Sequence, residues 1–213
     1  MGEYIENFVD ALPDPKRVKE IKKDLESKGV KYIYSHWIDF LGSPKTKPMP
    51  ISDFEDLCAG KGPQFAVHSV SFVPELGPAD NDQIPVPDLD SLLICPWDKT
   101  CAWVFSDLWW NGKPYDVCPR QTLKKQIKKN AEADLKFYVG MEPEFFVMKW
   151  EDGKPVKAID RDPIPLRRQA FGYDSEYSIE GMDFLKEIID ILNEDLKWDL
   201  HDVVAEGAYG QYE

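Results

Sequence analysis

The sequence has no apolar run approaching the roughly 20 residues that span a bilayer. It lacks a basic stretch followed by an apolar one at its start, so no secretory leader is legible in MGEYIENFVDALPD. Gly2 is not followed by the Ser or Thr that a myristoylation signal needs. Cysteine is scarce: Cys58, Cys95, Cys101 and Cys118 form no C-x-x-C pair, and no His stands at zinc-ligand spacing from them. They read as reduced thiols filling the core of a cytoplasmic protein. Basic residues are outnumbered, 26 against 39 acidic ones, for a formal charge of −13 over 213 residues. A chain of that sign repels nucleic acid and anionic membranes, and neither is expected as a partner. No internal repeat or low-complexity tract is present.

Apolar residues make up 43% of the chain, enough for ordinary cores. Asp14, Pro15 and Gly29 delimit a helix over 15–28, with Val18, Ile21 and Leu25 on one face. Runs rich in β-branched and aromatic residues follow, and strands are expected over 31–40, 65–73, 91–97 and 101–110. The stretch 76–90 is too rich in Pro and Asp for regular structure. Asn111-Gly112 marks a hairpin turn. Pro119 opens a second helix, whose Leu123 and Ile127 lie one turn apart and whose Lys124, Lys125, Lys128 and Lys129 read as a solvated face. A strand is expected over 137–150, and a turn at 151–154. Residues 155–177 read as irregular. A helix capped by Ser178 and a strand over 198–205 complete the chain. The expected class is α+β, in two domains: 1–116 and 117–213.

The chemistry concentrates in carboxylates. In Val139-Gly140-Met141-Glu142-Pro143-Glu144-Phe145-Phe146, a strand would put Glu142 and Glu144 on one face, about 7 Å apart. Two like charges on a buried face stay ionised only beside a cation, and hard Mg2+ or Mn2+ prefers such oxygens. Pro143 donates no ladder hydrogen bond, which suggests a bulge or an edge. An ordinary solvent-facing strand would carry the same E-x-E. Glu206 to Glu213 adds two more glutamates around a bend with Gly207 and Gly210.

These motifs resemble the glutamine synthetase family. G-x-E-P-E-F-F followed by E-x-x-x-G-Q-x-E is similar to its metal-binding strands. Pro87-Asp88-Leu89 with Cys95-Pro96-Trp97 resembles its P-D-x-S-T … P-W segment. Asp107, Gly112-Lys113-Pro114 and Pro119-Arg120-Gln121-Thr122-Leu123 resemble its crossing between domains. The likeness runs from about residue 30 to 213. It implies an N-terminal β-grasp domain up to about 116 and the start of a catalytic α/β domain after it. It implies that Glu142 binds the metal at the nucleotide. Glu144, Glu206 and Glu213 would hold a second metal beside the amino-acid substrate, with Glu144 and Glu213 nearest that substrate. The implied activity joins glutamate to an amine or ammonia through γ-glutamyl phosphate made from ATP, in a homo-oligomeric ring with sites formed between subunits. No residue is assigned as a catalytic acid or base.

Two departures stand out. Where ammonia-using members carry an acid in a segment like F-D-G-S-S, this chain has Ala66 in Phe65-Ala66-Val67-His68-Ser69. That loss favours the glutamate–methylamine ligase branch and an alkylamine over ammonia, although Asp80 or Asp82 could replace the acid. The family's remaining ligands, its substrate-binding arginines and its flap have no counterpart up to Glu213. The chain is therefore expected to be an inactive fragment; a short relative that binds or regulates a full-length partner is the reading from another class. His68 and His201 read as ordinary hydrogen-bonded side chains near the site, and Trp109 and Trp110 as surfaces left exposed outside a ring.

Overall fold

The computed structural model describes residues 11–66, 76–158, 172–208 and 210–213. Packing divides the chain into two units, 1–136 and 137–213.

In the first unit, α1 (Pro15–Ser27) starts where expected. Pro15 occupies its first turn, and the Asp14 carboxylate accepts from the Lys16 amide at 3.2 Å. Val18 and Leu25 are its buried stripe. β1 (Tyr32–Ile38) alternates between buried and half-open positions, β2 (Pro44–Pro50) pairs antiparallel to it, and α2 (Phe54–Cys58) turns the chain back. Then come β3 (Ile84–Pro87), β4 (Leu93–Ile94), β5 (Cys101–Trp110), β6 (Lys113–Pro114) and α3 (Pro119–Glu132).

The strands form one mixed sheet in the order β2-β1-β5-β3, with β4 and β6 also paired to β5. β1 and β5 run parallel, and the other pairs are antiparallel. β5 is the ten-residue spine and lies where the sequence places it. Ile33, Ala102 and Val104 meet Val18 and Leu25 of α1 and Phe54 and Leu57 of α2 in the main core. Farther along the sheet, the Trp37 and Phe65 rings stack at 4.3 Å beside Leu108. Asn111 and Gly112 take φ of 50° and 75°, the left-handed pair that closes β5 onto β6.

Several expectations need correction. β2 (PKTKPMP) and β3 (IPVP) were not anticipated, because proline argues against a strand. Proline is tolerated where an N–H faces away from the ladder, and these two strands lie at the two ends of the order. The strand over 65–73 is seen only as a bridge at Phe65 to Gln83; 67–75, His68 included, lie outside the described residues. In α3, Lys125, Lys128 and Lys129 are exposed as expected, but Leu123 and Lys124 exchange places. Leu123 is 61% exposed, while the Lys124 side chain is only 12% exposed and meets Asp107 and Asp88. Trp109 is buried, and Trp110 is half-buried with its indole N–H on the Asn81 carbonyl at 2.9 Å.

The second unit holds β7 (Phe145–Phe146), β8 (Met148–Glu151), β9 (Lys154–Lys157), α4 (Ser175–Asp190) and β10 (Gln211–Tyr212). Asp152 and Gly153, both at positive φ, close the β8–β9 hairpin at the expected turn. Asp174, not Ser178, caps α4, accepting from the Glu176 amide at 3.1 Å. Residues 137–144 are not a strand: their backbone joins no ladder among the described residues, and Phe137, Tyr138, Val139 and Met141 are exposed. Residues 198–204 are likewise irregular, with a single bridge at Ala205.

Gly181 of α4 lies against the Tyr212 ring, and a Cβ there would stand 2.5 Å from Tyr212 Cε1 and 2.9 Å from Leu185 Cδ1. Both partners are buried and have no room to retreat. Gly181→Ala is therefore expected to destabilise by about 1–3 kcal/mol of overpacking, less the roughly 1 kcal/mol that alanine returns to a helix. Urea unfolding measures it; a gain in stability would show that the ring moves freely.

Candidate carboxylate site

Three short segments of the second unit lie side by side. β10 pairs antiparallel with β7, Gln211 opposite Phe146 and Tyr212 opposite Phe145. On its other side, Glu213 N–H donates to the Val204 carbonyl and Val204 N–H to that of Glu213, both at 3.0 Å. Glu206 N–H donates to the Gln211 carbonyl at 2.9 Å, and Ala205 bridges Tyr212. The chain turns between them at Gly207 to Gly210, where Gly210 has φ of 78°.

This register sorts the side chains by period two. Phe145, Ala205 and Tyr212 fall on one face and pack on α4 with Tyr177 and Leu185. Tyr212 is 1% exposed, its hydroxyl reaches the Tyr177 carbonyl at 3.4 Å, and Phe184 meets its ring edge-on at 5.2 Å. The opposite face receives Glu206, Gln211 and Glu213. One more step of the β7 register sets Glu144 opposite Glu213. The apolar anchors on one side thus fix where the carboxylates stand on the other.

Polar contacts agree with that placement. Gln211 Nε2 donates to Glu144 Oε2 at 2.6 Å, and the Gly207 amide donates to Glu206 Oε2 at 2.9 Å. Partial loss of water pushes the Glu213 carboxyl above its ordinary value; so do a hydrogen bond with Glu206 and the charges of Glu142, Glu206 and Glu144. The charges of Glu142, Glu144 and Glu206 thus all reach Glu213. They do not form a closed cage: among the described residues, no three His, Cys, Asp or Glu side chains are gathered closely enough to hold a metal ion. Glu142 and Glu144 are exposed, and like charges facing water spread apart. Gln211 had no assigned role in the sequence reading. Its signal was its place two residues before Glu213, on the same face of an extended segment. His201 lies apart, exposed, with Nε2 3.5 Å from Asp199.

Ala66, in the first unit, borders a hollow lined also by Trp37, Lys45, Lys47 and Asp82. Asp80 is committed to its own turn, accepting from the Gly77 amide at 2.7 Å. Of these two acids, Asp82 is the one that lines the hollow with Ala66. No helix among the described residues is long and apolar enough to cross a membrane.

Residues 116–213 match the family described as "Glutamine synthetase, catalytic domain". A glutamine synthetase of Rhizobium meliloti (strain 1021) is 32% identical over 186 residues, covering 87% of this chain and 40% of the relative. A glutamate–methylamine ligase of Methyloversatilis universalis is 29% identical over 199 residues, covering 91% and 42%. A solved structure titled "Apo GmaS without ligand" superposes with a TM-score of 0.73 at 26% identity, covering 90% of this chain and 43% of that one. The chain thus spans about two-fifths of the length of these relatives. Residues 116–213 thus match the glutamine synthetase catalytic domain, and the chain as a whole is similar to members of that family of carbon–nitrogen ligases.

Proposed function

We propose that this chain supplies part of an ATP-dependent ligase that joins the γ-carboxylate of glutamate to an alkylamine such as methylamine. The observation that supports the reading is that Glu144, Glu206 and Glu213 fall on one face of the β7–β10 ladder, where the charge of Glu142 also reaches Glu213. The similarity to a glutamate–methylamine ligase and Ala66 in place of an acid support the alkylamine. In this reading residues up to about 116 are a β-grasp domain and the catalytic domain begins near 117, with α3 packed back on the first unit.

The donor set fits Mg2+ or Mn2+: all four side chains are hard oxygen donors, and their mutual repulsion is what a dication relieves. Glu142 would serve the metal at the nucleotide, and Glu144, Glu206 and Glu213 the one beside glutamate. Bound there, a dication neutralises charge on transferring phosphoryl oxygens. The chain's own contribution is positioning. Tyr212, locked by α4, fixes Gln211 and Glu213. Gln211 holds one oxygen of Glu144 and leaves the other open. The Gly207 amide orients Glu206. An activated acyl phosphate must also be kept from water, and that duty falls to a whole ring of subunits in this reading.

A chimera tests the amine. Residues 1–213 replace the aligned portion of the Methyloversatilis ligase, and amide formation is followed with methylamine and with ammonium. Preference for methylamine is expected; preference for ammonium would overturn the alkylamine reading. The 213-residue chain by itself is expected to form no amide. The second reading, an ammonia-using glutamine synthetase, is favoured by one observation: Asp82 stands beside Ala66, and in the chimera Asp82→Ala would then abolish the ammonium reaction selectively.

A further inference from the structure

The β4–β5 ladder carries chemistry that the carboxylate site does not use. Leu93 faces Trp103 and Ile94 faces Ala102, so the next step of the register sets Cys95 opposite Cys101. The Cys95 amide donates to the Cys101 carbonyl at 3.0 Å, which fixes that pairing. Directly opposed residues of an antiparallel pair have Cα atoms about 4.5–5.5 Å apart, with side chains on one face. A disulfide needs about 4.4–6.8 Å. The five residues between them, Pro96 to Thr100, form a short turn, stiffened where Thr100 donates to Asp98 through both its amide and its hydroxyl. Both thiols are free.

We propose that Cys95 and Cys101 are a redox pair that closes to a disulfide across the β4–β5 ladder when a small-molecule disulfide oxidises the protein. The two thiols have different roles. Cys101 is 7% exposed and Cys95 is 1% exposed, so Cys101 meets the oxidant first. Its S–H donates to Asp98 Oδ2 at 3.2 Å, which gives the proton an exit. The Cys101 thiolate attacks one sulfur of the oxidant and expels one thiolate, leaving a mixed disulfide. Cys95 then loses its proton to solvent, attacks the Cys101 sulfur and expels the second thiolate. Two protein S–H bonds and the oxidant's S–S bond break, and one protein S–S bond forms. Two electrons pass to the oxidant, which leaves as two thiols. Burial, then Cys101, then Asp98, push the Cys95 thiol up to about 11. Closure is therefore the slow step, and the pair stays reduced until an oxidant is present. Cys58 and Cys118 have no opposed cysteine and stay outside the reaction.

The test is a label count on the 213-residue protein. After incubation with oxidised glutathione, the protein is denatured, alkylated with iodoacetamide and weighed, and a non-reduced digest is mapped. The reduced protein takes four labels. The oxidised protein is expected to take two, on Cys58 and Cys118, with residues 95 and 101 linked to each other. Cys95→Ser is expected to stop at a glutathione adduct on Cys101. Four labels after oxidation, an adduct persisting on wild-type Cys101, or a bond to Cys58 or Cys118 would overturn the proposal. If Cys95→Ser does not fold, the wild-type map decides by itself.

Discussion

Replacing Glu213 with glutamine is expected to raise the thermal midpoint of the protein in EDTA and to weaken its binding of Mn2+ by about tenfold or more. The two effects have one cause. Glu144, Glu206 and Glu213 share the face opposite the Tyr212 anchor, and Glu142 acts on the same place. Each carboxylate repels the others. Each also attracts a dication. Removing one charge therefore stabilises the metal-free fold and weakens the site, a trade between stability and function. Glu144→Gln and Glu206→Gln are expected to behave alike, and Glu151→Gln, on the β8–β9 hairpin, to change neither quantity. Raising salt should shrink the stability gain, since these charges are reached by solvent. Titration calorimetry with MnCl2 and thermal melts read the two effects. Unchanged Mn2+ binding in the Glu213, Glu144 and Glu206 variants would sink the metal reading, whatever the melts show.

Asp107→Ala is expected to cost about 3–5 kcal/mol. The Asp107 side chain is 4% exposed and lies on the central strand. It accepts from Arg120 Nε at 2.9 Å and from Lys124 Nζ. Asp88 takes the same two cations, at 2.7 Å from Arg120 and 3.4 Å from Lys124. Arg120 also lies 5.7 Å from the centroid of the Phe105 ring. Two acids and two bases balance, and deleting one acid leaves a cation uncompensated beside β5. Asp107→Asn, which keeps the shape and loses the charge, should cost less. The pair Asp107→Leu with Lys124→Met should recover much of the loss, because an apolar pair of similar volume needs no compensation. Urea unfolding gives each value. A loss below about 1 kcal/mol would mean that the cluster behaves as an exposed ion pair.

What the sequence made legible follows from where each signal is local. Asp14, Pro15 and Gly29 sit next to the helix they bound, and α1 is where they put it. β5 is an aromatic-rich, mostly apolar run at the centre of its sheet. Asn111-Gly112 and Asp152-Gly153 each satisfy a turn by themselves. The failures are non-local. Lys124 reads as solvated until Asp88, just past β3, and Asp107 on β5 draw it inward, with Leu123 turned out. Glu142 and Glu144 were grouped on the premise of a strand over 137–150. Only its later part, from Phe145, forms strand, and Glu144 instead meets Glu213 through the cross-strand register of β7 and β10. The carboxylates were grouped by motif resemblance, while their geometry depends on the pairing of Tyr212 with Phe145, 67 positions apart.

The prolines of β2 and β3 have a consequence beyond their own strands. A sheet with free rims is a template on which further chains can stack, and stacking is how soluble proteins become fibres. Here one rim is PKTKPMP, with three prolines and two lysines. The other rim is IPVP, with β4 and β6 only two residues long. Neither offers an unbroken row of donors, and the lysines repel a second copy of the same strand. The residues that obscured these strands in the sequence thus keep the sheet from growing, and the first unit is expected to stay in solution at concentrations where a bare-edged sheet would precipitate.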